Sequence, residues 1–190
     1  MRETKGDLPV YAPRPFAAVA AISSAFALII AGAVAPASAE PQRPAFYDAP
    51  ATLPSPNGDL IRSEPLDVSL QWAEALAGTY TATRVLYRST NRTGAAVAVS
   101  GSVLVPKSKW VGSGTRPVVG YAVGTQGIGD SCAPSRQLSD GVKNEGFKYE
   151  PVFVAGLLAR GYAVAMTDYE GLGTAGKHTY LDRVSQGRAV

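Results

Sequence analysis

The chain has 190 residues, 46% of them hydrophobic, which is enough for one domain with a core and excludes a fully disordered chain. Its 18 Lys and Arg against 15 Asp and Glu leave a formal charge of only +3. No run of like charge concentrates that excess into the basic stripe that nucleic acid requires, so neither DNA nor RNA is an expected partner. One Cys and one His exclude an internal disulfide framework and the usual Cys/His zinc shell, so no metal or other cofactor is expected.

Residues 1–39 read as a secretory signal. An uncharged, Ala-rich run from Phe16 to Ala35 follows Arg2, Lys5 and Arg14, and Ala37-Ser38-Ala39 has the form of a signal-peptidase site. Cleavage is expected after Ala39. Losing Arg2, Lys5 and Arg14 together with Glu3 and Asp7 lowers the charge from +3 to +2. In an exported protein the odd Cys132 is read in three ways: an intermolecular bridge, a free thiol, or half of a disulfide whose partner lies outside this chain.

Residues 40–65 hold six prolines, a density that neither a helix nor a central strand accommodates. This segment is expected to be an extended arm wrapped over the domain, because Phe46, Tyr47, Leu53, Leu60 and Ile61 would be wasted in solvent. The remainder, residues 66–190, reads as an α/β domain. Leu66 to Leu76 has helical apolar spacing, and Gly78 follows as a stop.

Two β-rich runs, Tyr80–Tyr87 and Ala96–Val105, flank the turn-forming Asn91-Arg92-Thr93-Gly94 and predict an antiparallel hairpin. Asn91 also opens a glycosylation sequon, beside its plainer reading as a turn residue. Pro117 to Val123 is a continuous apolar run, the pattern of a strand buried on both faces. A Gly-rich loop follows it. Glu150-Pro151 opens a helix that Gly161 ends, and Tyr162–Thr167 is a second buried-strand run closing on Asp168. Strand, loop, helix and strand in that order make a parallel βαβ unit. A further helix begins near Leu181, with Leu181, Val184 and Ala189 on its apolar side, and its pattern is still open at Val190. The sequence is expected to end before its domain does.

Several phrases then carry a family resemblance: Phe46-Tyr47-Asp48-Ala49-Pro50 with Gly58-Asp59-Leu60-Ile61-Arg62, the loop Gly127 to Ser135, Thr167 to Gly173, and Ser185 to Val190. In their order and spacing they resemble the secretory lipases. The resemblance implies the N-terminal half of an α/β-hydrolase fold and a serine esterase acting on lipid or ester substrates, triacylglycerols among them, with contact to a lipid interface. It also implies a Ser-His-Asp triad with the nucleophile in G-x-S-x-G. The chain has no such pentapeptide. Its nearest approach, Arg183-Val184-Ser185-Gln186-Gly187, lacks the first Gly and a preceding strand, so nucleophile and triad partners are expected beyond Val190.

What the resemblance places inside the chain is one donor of the oxyanion hole. The donor position falls on Gln126 in the loop Gly124-Thr125-Gln126-Gly127, through its backbone N–H, with its side-chain amide as a second candidate donor. The same loop lacks the order and context of a dinucleotide fingerprint, and no P-loop is present. His178 precedes any plausible nucleophile, whereas the fold places its His last, so it reads as loop packing. Asp168 reads as ordering the turn after its strand, and Cys132 as a structural thiol with no His beside it. Two other functions remain open: the same fold serving a peptidase or acyltransferase, and a non-catalytic exported fragment.

Overall fold

The computed structural model describes residues 42–68, 76–139 and 150–190. The signal expected at residues 1–39 and most of the helix expected at Leu66–Leu76 lie outside them.

Five strands form one mixed sheet: β1 Leu60–Pro65, β2 Tyr80–Thr90, β3 Ala96–Pro106, β4 Val118–Tyr121 and β5 Ala163–Thr167, in the spatial order β1-β2-β3-β5-β4. The expected hairpin is β2–β3, paired without a break from Tyr80↔Pro106 to Thr90↔Ala96. Its turn is closed by Asn91, whose Oδ1 accepts from the N–H groups of Thr93 and Ala95, each at 3.0 Å. A side chain that binds backbone two and four residues on is the physical reason Asn suits such turns.

The expected βαβ unit is β4, helix α2 and β5, with β4 and β5 parallel from Val118↔Ala163 to Tyr121↔Met166. Among the described residues three α-helices accompany the sheet: α1 Pro134–Ser139, α2 Glu150–Ala159 and α3 Arg183–Ala189. β5 lies between β4 and β3, and is antiparallel to β3 on its other side. Ala163, Val164, Met166 and Thr167 are all buried, as its continuous apolar run requires. Gly101 permits the β3–β5 approach, since a Cβ there would stand 2.3 Å from the Met166 carbonyl oxygen.

Two expectations need correction. β4 is not buried on both faces: it is the last strand of the described sheet, and Val118 is 65% exposed. An apolar run looks the same at the centre and at an edge, and only pairing tells them apart. The apolar side of α3 also differs, because Leu181 is fully exposed before the helix begins and Val184 is exposed, while Ser185 and Ala189 are buried. Asp182 sets that register by capping the helix, its Oδ1 accepting from the N–H groups of Val184 and Ser185.

The Pro-rich segment contributes β1, an edge strand with Pro65 at its end, where no ladder donor is needed. Ahead of β1, Tyr47 is fully buried and its hydroxyl lies 2.9 Å from Ser135 Oγ. Guanidinium groups of Arg84 and Arg136 lie 5.2 and 6.0 Å from its ring centre. The core divides between the two faces of the sheet, as strand alternation dictates. Leu104, Val164 and Met166 pack with Leu138 of α1 and with Val154 and Leu158 of α2. On the other face Val99, Tyr87 and Val97 meet Ala189 of α3 and Tyr169.

Candidate active site

β4 and β5 run parallel, so the loops that leave their C-terminal ends meet at one edge of the sheet, where α/β folds collect ligands. After β4, Val123 is buried, and its carbonyl accepts from the hydroxyl of Tyr169, just past β5, at 2.9 Å. Tyr169 holds a left-handed backbone with φ of 66°. This region encloses a cavity of about 270 Å³ whose lining includes Gly124, Thr125, Gln126, Tyr169, His178 and Tyr180.

Gln126 is 7% exposed. Its side-chain Nε2 donates to the Gly124 carbonyl at 3.1 Å and to Glu150 Oε1 at 3.0 Å. The side-chain amide is therefore turned to α2 and to its own loop, which sets aside its use as an oxyanion donor. The backbone N–H is another matter: among the described residues it donates to no acceptor. The neighbouring Gly127 N–H is occupied, donating to the Tyr180 hydroxyl at 3.0 Å, and that hydroxyl is in turn in contact with the Gly127 carbonyl. Gly127 has φ of 138°, and a Cβ there would meet Cys132 Sγ at 2.4 Å, so the loop depends on glycine both for conformation and for space.

His178 lies on the same cavity, its ring edge-on to Tyr180 at 3.9 Å between centroids. Its Nδ1 stands 2.9 Å from the Glu170 carbonyl, and because a carbonyl only accepts, Nδ1 carries the proton in that contact. Cys132 closes a short turn, Asp130–Cys132, directly beneath Gly127.

Asp168 does more than order the following turn. It is fully buried and accepts from Ser100 Oγ at 2.6 Å, from Ser135 N at 2.8 Å and from Ser135 Oγ, joining β3, α1 and the end of β5. The turn itself is held by Thr167 Oγ1, which accepts from Tyr169 N at 3.0 Å. Burial pushes the Asp168 carboxyl above its ordinary range, against the opposing pull of the Ser100 and Ser135 hydrogen bonds and the Arg84 charge.

Ser185 is 2% exposed, and its Oγ accepts from Arg92 N at 2.9 Å, in the hairpin turn. It serves as an acceptor between elements and is not presented as a nucleophile. Ser185→Ala removes that acceptor and is expected to cost about 1 kcal/mol of stability, read by denaturant unfolding. It should leave any ester turnover of the protein unchanged.

Sequence reasoning missed α1, Glu150 as the partner of Gln126, and Tyr180 as the partner of Gly127. Glu150 carried a partial signal, an acidic residue directly before a helix-opening Pro, which reads as a helix start but not as a contact with a loop 24 residues earlier.

An antiparallel hairpin leading into a parallel βαβ unit, with helices on both faces, is a partial α/β-hydrolase fold. The chain is similar to Candida antarctica lipase A in its closed state, with a TM-score of 0.63 and 22% identity over 77% of this chain and 33% of that one. It also resembles the rice cell wall degrading esterase LipA of Xanthomonas oryzae, with a TM-score of 0.50 and 22% identity over 71% of this chain and 35% of that one. In sequence it is 33% identical over 116 residues to a probable inactive lipase of Mycobacterium tuberculosis, covering 60% of this chain and 25% of that protein. No protein-family model matches the chain. The structural likeness shows the fold, the sequence likeness is to a probable inactive lipase, and the chain spans about a third of the length of the solved structures and a quarter of the curated relative.

Proposed function

We propose that the chain is part of an exported carboxylic-ester hydrolase acting on lipids, triacylglycerols included, and that its own contribution to catalysis is the Gln126 N–H of the oxyanion hole. The observation that carries this reading is Gln126, whose N–H donates to no acceptor among the described residues, lining a cavity at the C-terminal ends of β4 and β5 in a partial α/β-hydrolase fold. In the reaction a serine hydroxyl, relieved of its proton by a histidine, attacks the ester carbonyl, and charge develops on the carbonyl oxygen. An N–H fixed in place before the reaction stabilises that charge without having to reorganise. The serine, histidine and acid belong to sequence outside residues 1–190.

The test is hydrolysis of a short and a long acyl ester. Residues 40–190 alone are expected to give no turnover above buffer, because polarising a carbonyl is not acyl transfer without an activated hydroxyl beside a base. Attaching a continuation that bears G-x-S-x-G should bring turnover, and Ser185-dependent turnover by residues 40–190 would overturn the reading. Export by the residue 1–39 signal is part of the same proposal. N-terminal sequencing of the secreted protein should begin at Glu40, and a membrane-retained form still starting at Met1 would refute it.

One observation favours a second reading. The Mycobacterium tuberculosis relative is a probable inactive lipase, and a lipase-fold protein that keeps the cavity without turning over esters is consistent with that. Absence of turnover from the chain carrying a G-x-S-x-G continuation would favour it.

A further inference from the structure

We infer that Glu150 is a positioning residue for the oxyanion donor: through the Gln126 side chain it clamps the loop 124–127 so that the Gln126 backbone N–H is held at the cavity. The inference rests on the reading of Gln126 as that donor. Glu150 is fully buried in the first turn of α2, the helix that carries the chain from the β4 side of the sheet to β5. A carboxylate in a helix is a fixed anchor, and the loop it meets is not regular structure.

The Gln126 amide makes two contacts from one nitrogen. Nε2 donates to Gly124 O at 3.1 Å, closing the loop on itself, and to Glu150 Oε1 at 3.0 Å, tying the closed loop to the helix. Both acceptors are oxygens, which settles the orientation of the amide. At the far side the Gly127–Tyr180 contact ties the loop to the segment before α3. The free N–H of Gln126 therefore lies between two ties, one on each side.

The Gln126–Glu150 contact is kept at a cost in stability. Gln126 Oε1 and Glu150 Oε2 are both buried without a hydrogen-bond partner among the described residues. Leaving buried acceptors unpaired costs stability, so apolar residues at these two positions would serve a purely structural helix–loop contact better. A polar pair kept at that cost suits a loop whose backbone must be held in one place, because a small misplacement of a group facing the reacting atoms lowers the rate steeply.

The experiment compares Glu150→Ala with Glu150→Gln, which keeps an acceptor oxygen for Gln126 Nε2. Backbone amide exchange is followed in the full chain, and kcat and KM in the chain carrying its G-x-S-x-G continuation. Glu150→Ala should speed exchange of the Gly127 amide about tenfold and leave the Val164 and Met166 amides of β5 unchanged. It should lower kcat about tenfold with KM within about twofold. Glu150→Gln should stay within about threefold of the parent on both readouts. Gln126→Ala should match Glu150→Ala, and the double variant should be no worse than either, since both remove one tie. Unchanged Gly127 exchange in folded Glu150→Ala, a Glu150→Gln protein as impaired as Glu150→Ala, or losses that multiply in the double variant would each overturn the clamp. Unchanged turnover in a folded Gln126→Pro protein would instead overturn the reading of Gln126, and with it the catalytic purpose of the clamp.

Discussion

Replacing Asp168 by Ala should lower the unfolding free energy by about 2 to 3 kcal/mol, because it leaves buried donors without their acceptor. The carboxylate accepts from Ser100 Oγ, Ser135 N and Ser135 Oγ in a fully buried site. Hydroxyls can rotate to other acceptors, and Tyr47 already offers one to Ser135. The Ser135 N–H cannot rotate, and its orphaning alone costs about 1 to 3 kcal/mol. Asp168→Asn retains a carbonyl for that N–H and should lose less than half as much. Denaturant unfolding measures both, and an Asp168→Ala loss below about 1 kcal/mol would contradict the assigned role.

The same site predicts a pH dependence. Burial raises the Asp168 carboxyl above its ordinary value of 3.8, so between 3.8 and its folded value the native state holds more protons than the unfolded state. Stability contributed by this group then falls as pH rises through that window and is level above it. The slope should vanish in Asp168→Asn, whose amide does not titrate.

Gln126→Pro should lower kcat roughly 10²- to 10³-fold in the chain with a G-x-S-x-G continuation, the usual effect of losing one oxyanion donor. Pro lacks the N–H and fixes φ, and it also removes the amide tie to Gly124 and Glu150, so Gln126→Ala, which keeps the backbone N–H, is the control for the tie alone. A donor that acts only in the transition state lowers kcat and kcat/KM together, with KM little changed. Circular dichroism and the melting midpoint establish that the variant is folded. A folded Gln126→Pro protein with parental turnover would refute the assignment.

How much of this was legible in the sequence depended on the range of the interaction. Asn91 closes its hairpin with contacts two and four residues away, and Asp182 caps α3 with contacts two and three residues away. The Glu150-Pro151 helix start is as local, and each of these shows in a short window of sequence because both partners lie inside it. The position of the candidate donor came from resemblance to a family, and the residues alone showed only a Gly-rich loop between a strand and a helix.

Tertiary structure decided the rest. Whether Val118 is at a centre or an edge, which strand lies beside β3, and how the Pro-rich arm supplies β1 are questions of pairing, and an apolar run reads alike in every answer. Asp168 meets Ser100 across 68 residues, Tyr47 meets Ser135 across 88, and Gln126 meets Glu150 across 24. Polar contacts of that separation leave no periodicity to detect. Their donors and acceptors find one another only after burial has removed water as the alternative partner.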